Sequence, residues 1–217
     1  MSTPILISIE GNIGSGKSTM LRKLRETEKD WIFVDEPVDN WLTIRNDAGE
    51  SLLEVFYKDK ERWSYTFQNA AVLSRGLMVK DAIADWNKGN KKSRVILMER
   101  CIETDRNVFA QMLHEDKAID KIEWTLYQNW YSFIREMVPK MNAFIWIDTD
   151  AEIAAERIKM RGREGEGEIP LEYLQSLDRV HRQWLSNDKP ESEGSVVFRS
   201  QDVEEVRAFI HKLAEDA

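Results

Sequence analysis

The sequence predicts an α/β fold: a five-stranded parallel sheet with helices on both faces. Two patterns carry this. Short apolar runs alternate with helical patterns along the whole chain, the order that produces parallel strands joined by crossover helices. The runs are continuously apolar rather than alternating, as strands buried on both faces are. A third observation fixes the first unit. The run over residues 5–9 enters Gly11-Asn12-Ile13-Gly14-Ser15-Gly16-Lys17-Ser18-Thr19, and a helical pattern follows. This is the strand–loop–helix context of a phosphate-binding loop, whose backbone N–H groups and helix dipole cradle a triphosphate. Lys17 would reach the β/γ-phosphates, and the Ser18 hydroxyl would ligate Mg²⁺.

The remaining elements follow in order. A helix is expected over about 17–28, then a second strand over 31–34 ending in Asp35-Glu36-Pro37-Val38. Pro37 excludes the helical region for Glu36, so that carboxylate should lie just past the carboxyl end of the strand. Residues 39–50 read as irregular. A long helical pattern runs over about 52–88, with Asp59-Lys60 as a possible break, and a third strand over 95–98 runs into Glu99-Arg100. Helical stretches follow over about 104–113 and 122–138, then a fourth strand over 142–147 and a helix over 150–159. The segment from Arg161 to Glu168 holds charge and glycine but no apolar residue, so it is expected to be exposed and mobile. A helix over 171–185, a fifth strand over 196–198 and a closing helix over 203–213 complete a single domain over 1–217.

At 217 residues, 42% hydrophobic and 32% charged, the chain can bury a core within one domain. Its net charge of −8 argues against nucleic acid as the main partner. The lone Cys101 fits a reducing compartment. No apolar run is long enough to span a membrane, and the N-terminus leads straight into a strand, so a cytoplasmic protein is expected.

Ligands of such sheets sit beyond the carboxyl ends of the strands, where Glu36, Glu99 and Arg100 fall. A carboxylate at Glu36 suits a general base for a substrate hydroxyl, or else a cap or surface acid. Glu99 would hold Mg²⁺ directly or through water. Arg100 would steady the base or the phosphate, or simply pair with Glu99. Arg157, Arg161 and Arg163 lie in or beside the glycine-rich segment; they either form a lid over the triphosphate, at about 160–169, or are a solvated charge run. Trp63, Phe67 and Gln68 offer aromatic faces and an amide to a nucleobase, or belong to the core. Together these residues suit phosphoryl transfer.

Several segments, in order across nearly the whole chain, resemble the deoxynucleoside kinase family of deoxycytidine and deoxyguanosine kinases. They are the phosphate loop, Glu36-Pro37-Val38 with Trp41, residues 52–57, Glu61 to Gln68, Leu73-Ser74-Arg75, Glu99-Arg100, Asp105-Arg106, Glu123 to Gln128, Arg161-Gly162-Arg163 and Ile169 to Leu174. The resemblance implies a P-loop kinase fold and transfer of the γ-phosphate of ATP, or another triphosphate, to a deoxynucleoside 5′-hydroxyl. By position it makes Glu36 the base and Arg100 its neighbour. Tyr57 and Glu166 would bind the 3′-hydroxyl, with Glu164 or Glu168 as alternatives to Glu166. Gln68 would read the base edge, and Phe56, Trp41, Phe67 and Phe109 would wall the slot. Ser18 and Glu99 would serve Mg²⁺. Arg75 and Asp105 imply a preference for deoxycytidine or purine deoxynucleosides, because thymidine-preferring members carry small or apolar residues there. The family also implies a homodimer. Cys101 stands where many relatives carry serine, and Ala70 with Ala71 keeps one face of the slot small. The competing readings are a thymidylate-type monophosphate kinase, which would need cations for its acceptor's phosphate, and a catalytically silent nucleotide-binding subunit.

Overall fold

In the computed structural model, which describes residues 3–89, 93–163, 169–186 and 195–216, five strands form one sheet. They are β1 (Ile5–Glu10), β2 (Ile32–Val34), β3 (Val95–Glu99), β4 (Ala143–Trp146) and β5 (Val196–Arg199). Their order is β2-β3-β1-β4-β5, and every pairing is parallel. β1 is central and buried along its whole length, which explains the continuous apolar run.

The sheet's side chains sort by parity. Ile5, Ile7 and Ile9 join Leu97 and Ile145 against α1 (Lys17–Thr27) and α10 (Val203–Asp216), through Leu21, Leu24, Val206 and Ile210. Leu6, Ile96, Met98 and Phe144 face the opposite side. There the cover includes α4 (Lys60–Asn87), α7 (Lys121–Met137) and α9 (Leu171–Leu185), while α8 (Ala151–Arg161) contributes Ile158. Helices on both faces are therefore present.

Two expectations are corrected. The stretch 39–50 is not wholly irregular, because α2 (Val38–Thr43) occupies its first part with Trp41 buried beneath it. Six residues are too few to show a helical period, and Pro37 is what starts this turn. The helix expected over 104–113 is three pieces: α5 (Ile102–Thr104), a π-helical turn (Asp105–Ala110) and α6 (Gln111–Glu115). The π geometry widens the coil at the point where Asp105 and Phe109 reach the cavity described below; tertiary fit, not propensity, selects such turns.

The expected break at Asp59-Lys60 is real. α3 (Leu52–Lys58) opens with a reciprocal Ser51/Glu54 capping box, and Asp59 then caps α4 by accepting from the Arg62 amide at 3.1 Å. The outer faces of α4 and α7 carry an exposed stripe of Leu73, Leu77, Ile122, Leu126, Trp130, Phe133 and Met137. Among the described residues no helix is long and apolar enough to cross a membrane.

Candidate active site

β1 delivers its chain into the phosphate loop at the centre of the sheet edge. Gly14 adopts φ +77, and a Cβ there would stand 2.5 Å from the Ala154 carbonyl oxygen, so only glycine lets α8 approach. Ile13, Gly14, Gly16, Lys17, Ser18 and Thr19 line a cavity of 480 Å³. Gly11, Asn12 and Ser15 do not reach its wall; they build the loop from behind. The Asn12 amide donates to the Leu174 carbonyl at 2.8 Å and its Oδ1 accepts from the Ile13 amide, pinning the loop to α9. Arg157 donates to the Ser15 carbonyl at 3.0 Å.

Lys17 is buried and donates to the Asn12 carbonyl at 2.7 Å. Burial, reinforced by the Arg100 charge, pushes its ammonium down to about 7. A bound polyanion would restore the charge. Triphosphate binding at pH 8.5 is therefore expected to take up about one proton per site, read by calorimetry in buffers of different ionisation enthalpy. Lys17→Met should abolish the uptake; unchanged uptake in that variant would remove Lys17 as its source. Beside it, Ser18 Oγ donates to Glu99 Oε1 at 3.1 Å. Among the described residues no group of three or more histidine, cysteine, aspartate or glutamate side chains gathers to cage a cation. The hydroxyl and single carboxylate fit Mg²⁺, which keeps water and phosphate ligands around one or two protein oxygens.

Past β2, Glu36 faces the same cavity within a compact charge network. Arg100 Nη1 donates to its Oε1 at 2.5 Å and Arg75 Nη2 at 3.3 Å. Burial alone would raise the Glu36 carboxyl; the charges of Arg100, Arg75 and Lys17 overcome this and hold it down to about 2. Arg100 follows β3 in the left-handed region, at φ 61, a conformation that a non-glycine residue occupies only when its surroundings impose it. Its amide donates to the Ile9 carbonyl at 3.1 Å and its Nη2 to the Gly11 carbonyl at 3.3 Å, and those bonds aim the guanidinium at Glu36. Arg75 also donates to both Asp105 oxygens, at 2.9 and 3.2 Å, and to the Glu99 carbonyl at 3.0 Å. One arginine thus ties β3, α4 and the π turn together.

The rest of the cavity is an aromatic slot. Phe56 stacks on Phe67 at 4.4 Å, Trp41 meets Phe67 edge-on at 5.1 Å, and Arg100 lies 4.9 Å over Phe109. Tyr57, Gln68 and Ala71 complete this wall. Gln68 is buried, and its Oε1 has no hydrogen-bond partner among the described residues, an expensive arrangement unless a ligand supplies one. Trp63 packs on the core outside the cavity wall. Arg157, Arg161 and Arg163 line the opposite rim. Glu166, with Glu164 and Glu168, lies outside the described residues.

Sequence reasoning missed Glu10, which lies fully buried under the loop. Its carboxylate accepts from Ser8 Oγ, from Thr104 Oγ1 at 2.8 Å and from Cys101 Sγ at 3.4 Å, and burial pushes it up to about 7. A charged residue ending an apolar strand was the available signal. It also missed Tyr173 and Met160, both on the cavity wall.

The family model for deoxynucleoside kinases matches residues 7–214. The chain belongs to the deoxynucleoside kinase family. It is 36% identical to the deoxycytidine kinases of Mus musculus and Homo sapiens over 196 residues, 82% of this chain and 74% of each relative. It is 32% identical to the mitochondrial deoxyguanosine kinase of Xenopus laevis over 198 residues, 85% of this chain and 74% of that one. In this deoxynucleoside kinase the phosphate loop, the charged cluster and the aromatic slot open onto a single cavity, with Glu36 where the three meet.

Proposed function

We propose that this kinase transfers the γ-phosphoryl group of ATP, or another nucleoside triphosphate, to the 5′-hydroxyl of a deoxynucleoside, with deoxycytidine and purine deoxynucleosides preferred. The supporting observation is the Glu36 carboxylate, anchored by Arg100 and Arg75 between Lys17 and the aromatic slot. The acceptor oxygen attacks the γ-phosphorus, its proton passes to Glu36, and the bond to the β-phosphate oxygen breaks to release the diphosphate. Lys17, Arg157, Arg161 and Arg163 bear the charge of the phosphates, Arg161 and Arg163 from a lid at about 160–169 and Arg157 from beside it. Ser18 and Glu99 would hold Mg²⁺, which would supply positive charge against the triphosphate. Trp41, Phe56, Phe67 and Phe109 grip the base, Gln68 hydrogen-bonds its edge, and Tyr57 with Glu166 takes the 3′-hydroxyl.

The product is a deoxynucleoside monophosphate, which suits nucleotide salvage in the cytoplasm. The whole chain acts as one domain, and the apolar stripe on α4 and α7 supports a homodimer formed through those helices. Trp130→Glu should shift its sedimentation toward that of a monomer; an unchanged dimer would move the interface elsewhere.

An ATP-dependent assay with thymidine, deoxycytidine, deoxyadenosine, deoxyguanosine and thymidine monophosphate tests the reading. Turnover of deoxycytidine or a purine deoxynucleoside ahead of thymidine is expected. Phosphorylation of the monophosphate alone would make the chain a monophosphate kinase, and no turnover at all would make it a silent subunit.

A further inference from the structure

Lys60 stands where a lysine has two reasons not to be. It is the first residue of α4, the end at which a cation opposes the helix dipole. It is also half-buried, and burial pushes its ammonium pKa down. What it meets there is the face of Tyr173, with Nζ 3.8 Å from the ring centroid, the shortest cation–ring distance among the described residues.

Tyr173 is itself unusual. Its side chain is buried on the wall of the cavity, on the first turn of α9, and its hydroxyl has no hydrogen-bond partner among the described residues. With no described residue bonded to its polar tip, the ring is placed by packing within the core, and the Lys60 ammonium is the charged part of that packing. The next residue, Leu174, gives its carbonyl to Asn12 of the phosphate loop. This turn of α9 is thereby tied to the loop on one side and to the start of α4 on the other. The α4 end is also the junction between Phe56 and Tyr57 on α3 and Phe67 and Gln68 on α4.

We propose that Lys60 is a positioning residue for the acceptor: its ammonium holds the Tyr173 ring against the cavity and so sets the affinity for the deoxynucleoside. The inference rests on the acceptor slot of the proposed function. A cation held on an aromatic face acts through the ring it fixes, so its loss falls on acceptor binding. Triphosphate binding and the chemical step, governed by Lys17, Ser18, Arg157 and Glu36, stay as they are.

Lys60→Met keeps an unbranched side chain, one atom shorter, and removes the charge. It is expected to raise the deoxynucleoside KM by about three- to tenfold, from the ordinary worth of a partly desolvated cation on a ring. Turnover should stay within about twofold and the triphosphate KM should not move. Lys60→Arg, which restores a cation over the ring, should recover most of the lost affinity. In a Tyr173→Leu background, Lys60→Met should add nothing, because the partner is already gone. A wild-type KM in Lys60→Met, a parallel rise in the triphosphate KM, failure of Lys60→Arg to rescue, or additive effects in the double variant would each overturn the assignment. Failure of the underlying reading looks different, since the unmutated chain would then phosphorylate no deoxynucleoside.

Discussion

Glu36→Gln is expected to lower turnover by about 10²–10⁴-fold, the usual worth of a positioned general base, with only a modest change in nucleoside affinity. The amide keeps the shape and one acceptor oxygen for Arg100 but cannot take the proton. The anchoring arginines add a second signature. A carboxylate held down to about 2 by two guanidiniums and an ammonium is a weak base, which suits a loose transition state in which the hydroxyl proton departs late. A depressed carboxylate stays ionised until pH falls through its own low value. The pH profile of kcat/KM for the deoxynucleoside should therefore show no acid limb near 4.5, where an ordinary glutamate would place one. Near-normal turnover in Glu36→Gln would remove the residue from the base role, and an acid limb at 4.5 would mean the free enzyme does not hold the network seen here.

Replacing Arg75 by Met alone should cost about 3–5 kcal/mol of stability, because Asp105 is left as a buried, uncompensated charge. Both side chains are almost fully excluded from water, at 3% and 2% exposed. Replacing Arg75 and Asp105 together, by Met and Ala, removes the charge with its partner and should destabilise less than the single change, as read by denaturant melts. The double variant also vacates volume beside Gln68 and Ala71. If the pair excludes the thymine methyl, the ratio of kcat/KM for thymidine over deoxycytidine should rise by about 10–200-fold, the range that methyl-sized room is worth. A double variant no better at using thymidine would sink the pair as a discriminator. A single variant as stable as the double would mean that Arg100 already compensates Asp105.

How much of this was legible beforehand depended on whether a signal was local. The strands and α1 were readable because buried parallel strands and a phosphate loop leave contiguous marks. Glu36 was readable because Pro37 fixes its backbone. Arg75 illustrates the boundary. The resemblance paired it with Asp105, but its bonds to Glu36 and to the Glu99 carbonyl join residues 39 and 24 positions away, and no periodicity records that. Lys60 and Tyr173 lie in different helices and are joined only by packing, so each alone is an unremarked polar or aromatic residue. Short α2 and the π turn failed for the opposite reason: they are local, yet neighbours decide their geometry. Trp41 needs a slot to bury itself in, and Asp105 and Phe109 need to reach the same cavity.

The π turn has an evolutionary consequence. It holds one residue more than an α-helical turn would over the same span, so its register depends on chain length as well as side-chain identity. Loss of a single residue between Asp105 and Phe109 would return the stretch to α geometry, and the tighter coil would take up the missing residue, so the flanking helix would keep its facing while the widened wall closed. A gap at those positions in a related kinase would mark a lineage that lost the π turn without losing the helix.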